Sequence, residues 1–351
     1  MAGGKRAPVV DDTVRLTVSP PEGKYPGGGE AYASKARRGG KDALKFLAIV
    51  VLYYWSNSFV IMTNKQLIGR MGFNFPIFLT SLHMATTVGF SYLMIDVLKV
   101  FQKQTVACAR QRTNIRWLAI QFAVSLWCGN WSLEYIDVSY TVMVGATTPF
   151  FVCILGFVFF NTVYSRSVYA SLVVIVGGAL VTTYGKALGG KGFTLVGLFL
   201  TLSSTFFRGL KTVWQGYLLQ GEQKMSSPNL LRYMATDAMI ILFLLGVVME
   251  SGSLYAWLQS ETGDADYGFW QFASLLVVNP ITAYGANYTQ FLLIQLSSAL
   301  SFQVIGNSKG VLNVIAGVLI FGDRVTGLAA AGYMITLVGV ACYVRAKSVK
   351  V

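Results

Sequence analysis

The sequence predicts an all-α integral membrane protein of ten transmembrane helices, arranged as a five-plus-five inverted repeat. Three observations lead to this fold class. Of the 351 residues, 54% are apolar and only 12% are charged, which is about half the charged share of soluble domains. The apolar residues form ten runs with short polar breaks between them. Two of these runs also match each other in pattern, which indicates an internal repeat.

The first element is a tail over residues 1–43, which holds most of the proline and glycine clusters and ends in a basic run. This composition predicts a disordered cytosolic segment. No short apolar segment precedes residue 44, so a cleaved secretory signal is not expected. The ten-helix membrane domain is predicted over 44–347, with repeat halves at about 44–185 and 195–345.

Each of the ten runs is close to the ~20 apolar residues that one bilayer crossing needs. The runs lie at about 44–67, 76–98, 115–135, 140–160, 167–185, 195–219, 229–250, 269–293, 299–321 and 325–345.

The charged residues predict the orientation of these spans. Basic residues gather in the tail, in the 99–114 loop and at the C-terminus, whereas the 251–268 loop carries three acids and no base. The positive-inside rule and an even number of spans place both termini in the cytosol. Topology therefore accounts for the net charge of +13, and no nucleic-acid partner is predicted.

The internal repeat appears when residues 139–161 are laid over 300–322 at a constant offset of 161. Gly145–Pro149 then falls on Gly306–Gly310, and both segments interrupt an apolar helix with small and polar residues. Matched interruptions in the two halves of a membrane protein indicate a transport site near the midplane.

Three basic residues lie inside apolar runs: Arg208 and Lys211 in the sixth and Lys309 in the ninth. Each costs ~3 kcal/mol at a helix centre, so such residues are rarely retained without a function. The alternatives are snorkelling to an interface or pairing with an acid, for which Asp237 is placed to answer Arg232 or Arg208. Because acids are few, we expect surplus positive charge and an anionic, phosphorylated substrate.

Further polar residues are candidates for the uncharged part of a substrate. Tyr284, Asn287 and Tyr288 lie in the eighth run, and Tyr233 lies in the seventh beside Met234 and Thr236. These side chains either join helices to one another or bind sugar hydroxyls and stack on a base. The weaker candidates are Asn57, Asn64, Lys65 and His83.

No enzyme signature stands out from this background. There is no phosphate-binding glycine loop, no nucleophile elbow and no metal-ligand spacing. The four cysteines lie far apart and His83 is the single histidine. The sequence therefore predicts no catalytic residue, no metal and no cofactor, and transport is the simpler function.

Six segments, taken in order, resemble the nucleotide-sugar and triose-phosphate translocator family of the drug/metabolite transporter superfamily, over residues 50–347. They are most similar to the plant branch of probable sugar-phosphate/phosphate translocators, some of which carry UDP-sugars in the Golgi. The segments are Asn74–Met84, Gly129–Ser139, Gly145–Phe151, Arg208–Leu219, Asn229–Met234 and Val304–Gly310.

The resemblance implies a ten-helix bundle that works by alternating access as a strict exchanger. It also implies that Lys309 contacts substrate phosphate, that Gly306, Asn307 and Ser308 meet the diphosphate and sugar, and that Tyr233 begins the nucleobase motif. We expect Lys211 or Arg208 to help Lys309. The residues expected to bind the sugar are Thr147, Thr148, Tyr284, Asn287 and Tyr288.

Three departures from the plastid members argue against triose-phosphate specificity. Gly310 stands where those members have arginine, Val142 where they have histidine, and Asn161 near their additional lysine. We therefore expect exchange of a nucleotide sugar for a nucleoside monophosphate in the Golgi membrane. The main alternative is a sugar-phosphate/inorganic phosphate exchanger in the plastid inner envelope.

Two other classes stay open at this point. A cation-linked drug exporter shares the ten-helix architecture but needs buried acids at its centre, and a membrane scaffold needs no buried charge. A homodimer is compatible with either architecture.

Overall fold

A computed structural model of the chain describes residues 40–136, 141, 144–187, 194–221, 224–259, 268–309 and 327–348. These residues are helical and contain no strand. The helices are α1 (Gly40–Asn64), α2 (Pro76–Tyr92), α3 (Ala109–Ser132), α4 (Thr148–Phe160), α5 (Arg166–Ala187), α6 (Leu195–Gln220), α7 (Ser227–Gln259), α8 (Phe269–Leu296), α9 (299–309) and α10 (Gly327–Ser348).

Several boundaries differ from the sequence prediction. The chain becomes helical at Gly40, within the predicted tail, and α3 begins at Ala109, inside the predicted 99–114 loop. The first helix continues past its predicted end as π-helical turns over Lys65–Arg70. The predicted tail up to residue 39, and the part of the ninth run beyond residue 309, lie outside the described residues.

Helix ends follow local chemistry. Pro76 opens α2 at a position where its missing N–H costs nothing. The first N–H groups of α2, from Ile77 and Phe78, donate to the two carboxylate oxygens of Glu250 in α7, each at 2.9 Å. Asn161, with φ of 48°, ends α4 in the left-handed conformation that asparagine tolerates. An acid distant in sequence thus fixes the start of α2.

Three stretches of the described residues are long and apolar enough to cross a membrane on their own: Asp42–Arg70, Pro76–Val97 and Ser227–Gln259. The apolar helices Thr148–Phe160, Arg166–Val181 and Ala330–Ala346 are shorter. Large apolar side chains are exposed on the outside of the bundle, as on α6 and α7, where Phe199 is 69% and Val248 79% accessible. Such a surface suits lipid.

Helix packing repeats itself between the two halves of the chain. The extensive contacts join α5 to α10, α2 to α7, α3 to α6 and α1 to α8, and lesser ones join α3 to α7, α2 to α8 and α4 to α6. The end of the described part of α9 contacts α1. These pairs are unchanged when every helix in α1–α5 is exchanged with the helix five positions later, and so are α7–α8 and α2–α3, whereas the α6–α8 contact has no α1–α3 counterpart of similar extent among the described residues.

The α5–α10 pair is held together by glycines. A Cβ atom added to Gly178 would lie 2.5 Å from the backbone nitrogen of Thr336, and one added to Gly339 would lie 2.8 Å from Ile175. Small residues let two membrane helices approach closely, which increases van der Waals contact.

The ion pairs correct one expectation. Asp237 pairs with Arg112 of α3 at 2.7 Å, and not with Arg232 or Arg208. Arg232 pairs instead with Asp96 at 2.5 Å. The α3–α7 and α2–α7 contacts bring these groups together, and this choice of partners depends on tertiary packing rather than on sequence distance.

Candidate functional site

Residues 305–309, at the end of the described part of α9, are held against α1 by polar contacts. The Lys309 ammonium donates to the Oδ1 atom of Asn57 and lies 5.8 Å from the centre of the Tyr53 ring. One residue along α1, the Tyr54 hydroxyl is 2.6 Å from the Ser308 hydroxyl and 3.0 Å from the carbonyl oxygen of Ile305. Lys309 is therefore placed by an amide oxygen and an aromatic face, both uncharged.

Asn307 joins α9 to the segment that precedes α4. Its Nδ2 atom donates to the carbonyl oxygen of Ala146 at 3.3 Å, and these residues are 161 apart in sequence. That separation equals the offset of the predicted internal repeat, so two positions that the sequence alignment superposes touch here. A Cβ atom added to Gly306 would meet no atom of the described residues within 4 Å.

Arg208 and Lys211, one turn apart on α6, extend the positive region. A Cβ atom on Gly145 would lie 3.1 Å from an Arg208 guanidinium nitrogen, which places Arg208 beside the Ala146 contact. The Arg208 side chain is accessible.

Lys211 faces another direction, with its ammonium 5.0 Å from the centre of the Phe122 ring of α3. A cation over an aromatic face is attracted by the ring quadrupole. Within the described ranges no carboxylate lies within ion-pair distance of Lys211, Arg208 or Lys309. These three residues are hereafter called the cationic cluster.

The aromatic residues of α8 form a stack. The Tyr284 and Tyr288 rings are stacked with centres 6.2 Å apart, Phe90 of α2 stacks on Tyr284 at 5.3 Å, and Phe101 lies 5.7 Å from Tyr288. Asn287, on the same helix, is half-buried. The stack packs against the same apolar core as Tyr53 and Phe122, the rings that face Lys309 and Lys211.

Three other predicted residues already have partners. The hydroxyls of Thr147 and Thr148 donate to the carbonyl oxygens of Val144 and Gly145, at 2.7 and 2.5 Å. Their oxygens remain as acceptors. The Tyr233 hydroxyl donates to the Gln104 carbonyl at 3.2 Å, so it lies at the loop that precedes α3 rather than beside Lys309.

His83 joins helices to one another rather than facing Lys309. Its ring hydrogen-bonds the Oδ1 atom of Asn279 in α8, and the Asn279 amide nitrogen lies 2.6 Å from Thr63 and 2.8 Å from Asn64 in α1. This buried polar cluster joins α1, α2 and α8.

Sequence reasoning missed the role of α1 beside the lysine. Asn57 was a weak candidate, and Tyr53 and Tyr54 were not considered. The available signal was the helical spacing of Tyr53 and Asn57, one turn apart on a single face of an apolar helix. Nothing in the sequence indicated that this face meets α9.

Chemically, the cationic cluster suits an anion with several oxygens. A phosphate accepts charge-assisted hydrogen bonds from both lysine and arginine, and arginine binds two oxygens at once. In a membrane interior, cations without acids nearby are costly unless such an anion offsets them. The site is thus built for phosphate groups, with neutral polar side chains on neighbouring helices.

Comparison with known proteins assigns the family. The family model described as Triose-phosphate Transporter family matches residues 44–344. The UDP-uronic acid transporter 1 of Arabidopsis thaliana is 36% identical over 308 residues, 88% of this chain and 97% of the relative. A probable sugar phosphate/phosphate translocator of that plant is 35% identical, over 88% of this chain and 84% of its own.

More distant matches agree with this assignment. The UDP-galactose transporter 1 of Arabidopsis thaliana is 28% identical, over 84% of this chain and 85% of its own. A crystal structure at 12% identity superposes with a TM-score of 0.64, over 87% of this chain and 98% of its own, which indicates a shared fold. The chain belongs to the Triose-phosphate Transporter family, whose members among these relatives are membrane transporters and not enzymes.

Proposed function

We propose that the chain is an antiporter that exchanges an organic phosphate, a nucleotide sugar for a nucleoside monophosphate, by alternating access. The observation that carries this proposal is the cationic cluster. Its three bases have no carboxylate partner among the described residues, and two of them, Arg208 and Lys309, lie beside the Asn307–Ala146 contact. A phosphorylated substrate would supply the missing negative charge.

The proposed architecture is ten transmembrane helices in two inverted halves, at about 44–185 and 195–345. The exchange symmetry of the helix pairs and the Asn307–Ala146 contact support a pseudo-two-fold axis through the site. Two halves around such an axis can open alternately to the two sides of the membrane. Both termini would then face the cytosol, as the distribution of basic residues predicts.

In this mechanism Lys309 binds the substrate phosphate and Arg208 assists it from α6. Lys211 would complete the positive surface on the side of α3. The amide of Asn287, the acceptor oxygens of Thr147 and Thr148, and the Tyr284–Tyr288 stack would receive the sugar and base as neighbouring helices close.

Exchange would be obligatory because the empty site holds uncompensated charge. A conformational change moves these cations through the closed interior, and an anion lowers the cost of that step. A bound substrate or counter-substrate thus allows the carrier to cross, whereas the empty carrier is held back.

Nucleotide sugars are the preferred substrate class. The two similar UDP-sugar carriers, together with Gly310 in place of the plastid arginine, support this choice. A sugar-phosphate/inorganic phosphate exchanger is the second candidate, since a relative of equal similarity is a probable sugar phosphate/phosphate translocator. The first candidate places the protein in the Golgi membrane and the second in the plastid inner envelope.

The test is uptake by purified protein in liposomes preloaded with UMP, GMP, CMP, AMP or inorganic phosphate, against labelled nucleotide sugars and sugar phosphates. We expect one nucleoside monophosphate to stimulate uptake and Lys309→Met to raise the half-saturating substrate concentration about 10- to 140-fold. That range is the ~1.5–3 kcal/mol of one charge-assisted hydrogen bond. The matched control, Lys45→Met, removes an exposed lysine at the start of α1.

The outcomes separate the candidates. Stimulation by phosphate alone supports the sugar-phosphate exchanger. Equal uptake with and without an internal counter-substrate refutes obligatory exchange, and unchanged half-saturation in Lys309→Met refutes the phosphate site.

A further inference from the structure

We propose that Asn57 is the residue that makes transport depend on an anion, because it positions Lys309 in the empty carrier without neutralising it. Asn57 is thus a positioning residue for the phosphate-binding lysine and the determinant of the site's net charge. The inference rests on the proposed exchange function and concerns the same site.

The first support is the contact itself. Asn57 Oδ1 accepts a hydrogen bond from the Lys309 ammonium, although 252 residues separate them. The ring of Tyr53, one turn earlier on α1, faces the same ammonium. Both groups attract a cation and neither carries a charge, so the lysine is held in place with its full positive charge available to a ligand.

The second support is that this part of α1 is itself fixed. Tyr54 contacts both Ser308 and the carbonyl oxygen of Ile305 on α9. On the other side, a Cβ atom on Gly285 of α8 would lie 3.9 Å from Ser56. Asn57 is therefore carried on a helix that is packed between α8 and α9, and its amide has a defined place relative to the lysine.

The third support is the charge balance around Lys309. A second base, Arg208, lies beside the adjacent Asn307–Ala146 contact, and the described residues offer no acid within ion-pair distance of Lys309. A carboxylate has nearly the shape of an amide but would cancel one unit of charge. Position 57 is therefore where a change from amide to carboxylate would give the empty site its own counter-ion.

The proposal predicts that a charge introduced at position 57 changes net uptake and exchange differently. In Asn57→Asp the empty carrier would no longer hold Lys309 uncompensated, so it would cross between states without a ligand. Net uptake into liposomes without counter-substrate should rise relative to exchange. The affinity for phosphate should fall at the same time, since the introduced carboxylate competes with the substrate for Lys309 and repels it.

The experiment measures net uptake and exchange for each variant in the same liposome preparation and compares their ratio, which does not depend on the amount of folded protein. We expect the ratio in Asn57→Asp to exceed the wild-type ratio by about tenfold or more. Asn57→Leu removes the acceptor without adding charge, so its half-saturating concentration should rise while its ratio stays at the wild-type value.

Gln66→Glu is the matched control, since it makes the same chemical change about 14 Å along the same helix at 1.5 Å per residue. Its ratio should stay unchanged. An unchanged ratio in Asn57→Asp, or an equal rise in Asn57→Leu or Gln66→Glu, overturns the inference. Wild-type protein that shows no exchange refutes the proposed function instead, so the two failures are distinguishable.

If a variant shows neither net uptake nor exchange, thermal unfolding in detergent with and without inorganic phosphate tests the inference instead. We expect Asn57→Asp to unfold at a higher temperature than wild type when empty and to gain little from added phosphate. Stabilisation by phosphate equal to that of the wild type overturns the inference.

Discussion

Adjacent glycines on α5 offer an internal test of how the α5–α10 pair is packed. Gly178 faces α10, where an added Cβ would lie 2.5 Å from Thr336 and 2.8 Å from the carbonyl oxygen of Gly332. Gly177 faces away, and its Cβ would meet nothing within 4 Å. Gly177→Ala and Gly178→Ala are the same chemical change on the same helix, so their difference reports the contact.

The magnitude follows from these distances. The Cβ of Gly178→Ala falls about 1 Å short of the 3.4 Å at which ordinary contact begins, against backbone atoms that cannot rotate away. Overpacking of this kind costs about 1–3 kcal/mol. In Gly177→Ala the free energy of unfolding should stay unchanged or rise by up to about 1 kcal/mol, because alanine favours the helix more than glycine does. The two variants should therefore unfold roughly 5 °C apart.

The assay is thermal unfolding of both purified variants in one detergent, with wild type alongside. Exchange per folded molecule should be unchanged in Gly177→Ala, because this glycine lies outside the cationic cluster. If Gly178→Ala unfolds at or above the temperature of Gly177→Ala, the close approach of α5 and α10 is wrong.

Three further predictions concern buried charges. Glu250→Gln leaves one backbone N–H at the start of α2 without an acceptor and should cost about 1–3 kcal/mol, measured as a lower unfolding temperature; an unchanged temperature would contradict the cap. Arg208→Gln should raise the half-saturating substrate concentration more than Lys211→Met, because Arg208 lies beside the Asn307–Ala146 contact. The reverse order in liposome exchange would show that Lys211, and not Arg208, assists Lys309. Asp237→Asn should destabilise the protein by about 1–3 kcal/mol, and adding Arg112→Met should recover part of the loss; double-variant unfolding that is merely additive would show that no pair exists.

Hydrophobic patterning predicted where helices occur, because burial in lipid requires long apolar runs and tolerates few charges. It also identified Lys309 and Arg208, since a base in such a run has few explanations. The partner of Lys309 was not predictable, because Asn57 lies 252 residues away and its meeting with α9 depends on the packing of α1. The partner of Asp237 was not predictable for the same reason. The sequence offered Arg232 and Arg208, whereas helix packing brings Arg112 of α3 to Asp237.

The contact between Asn307 and Ala146 has a consequence for how cargo sits during a transport cycle. The two halves contribute equivalent backbones, but only the second contributes a lysine, while Thr147 and Thr148 stand in the first. A substrate with one charged end would keep that end on the second half whichever side is open. The substrate would then cross the membrane without reversing its orientation, because the binding side chains of the two halves differ although their backbones match.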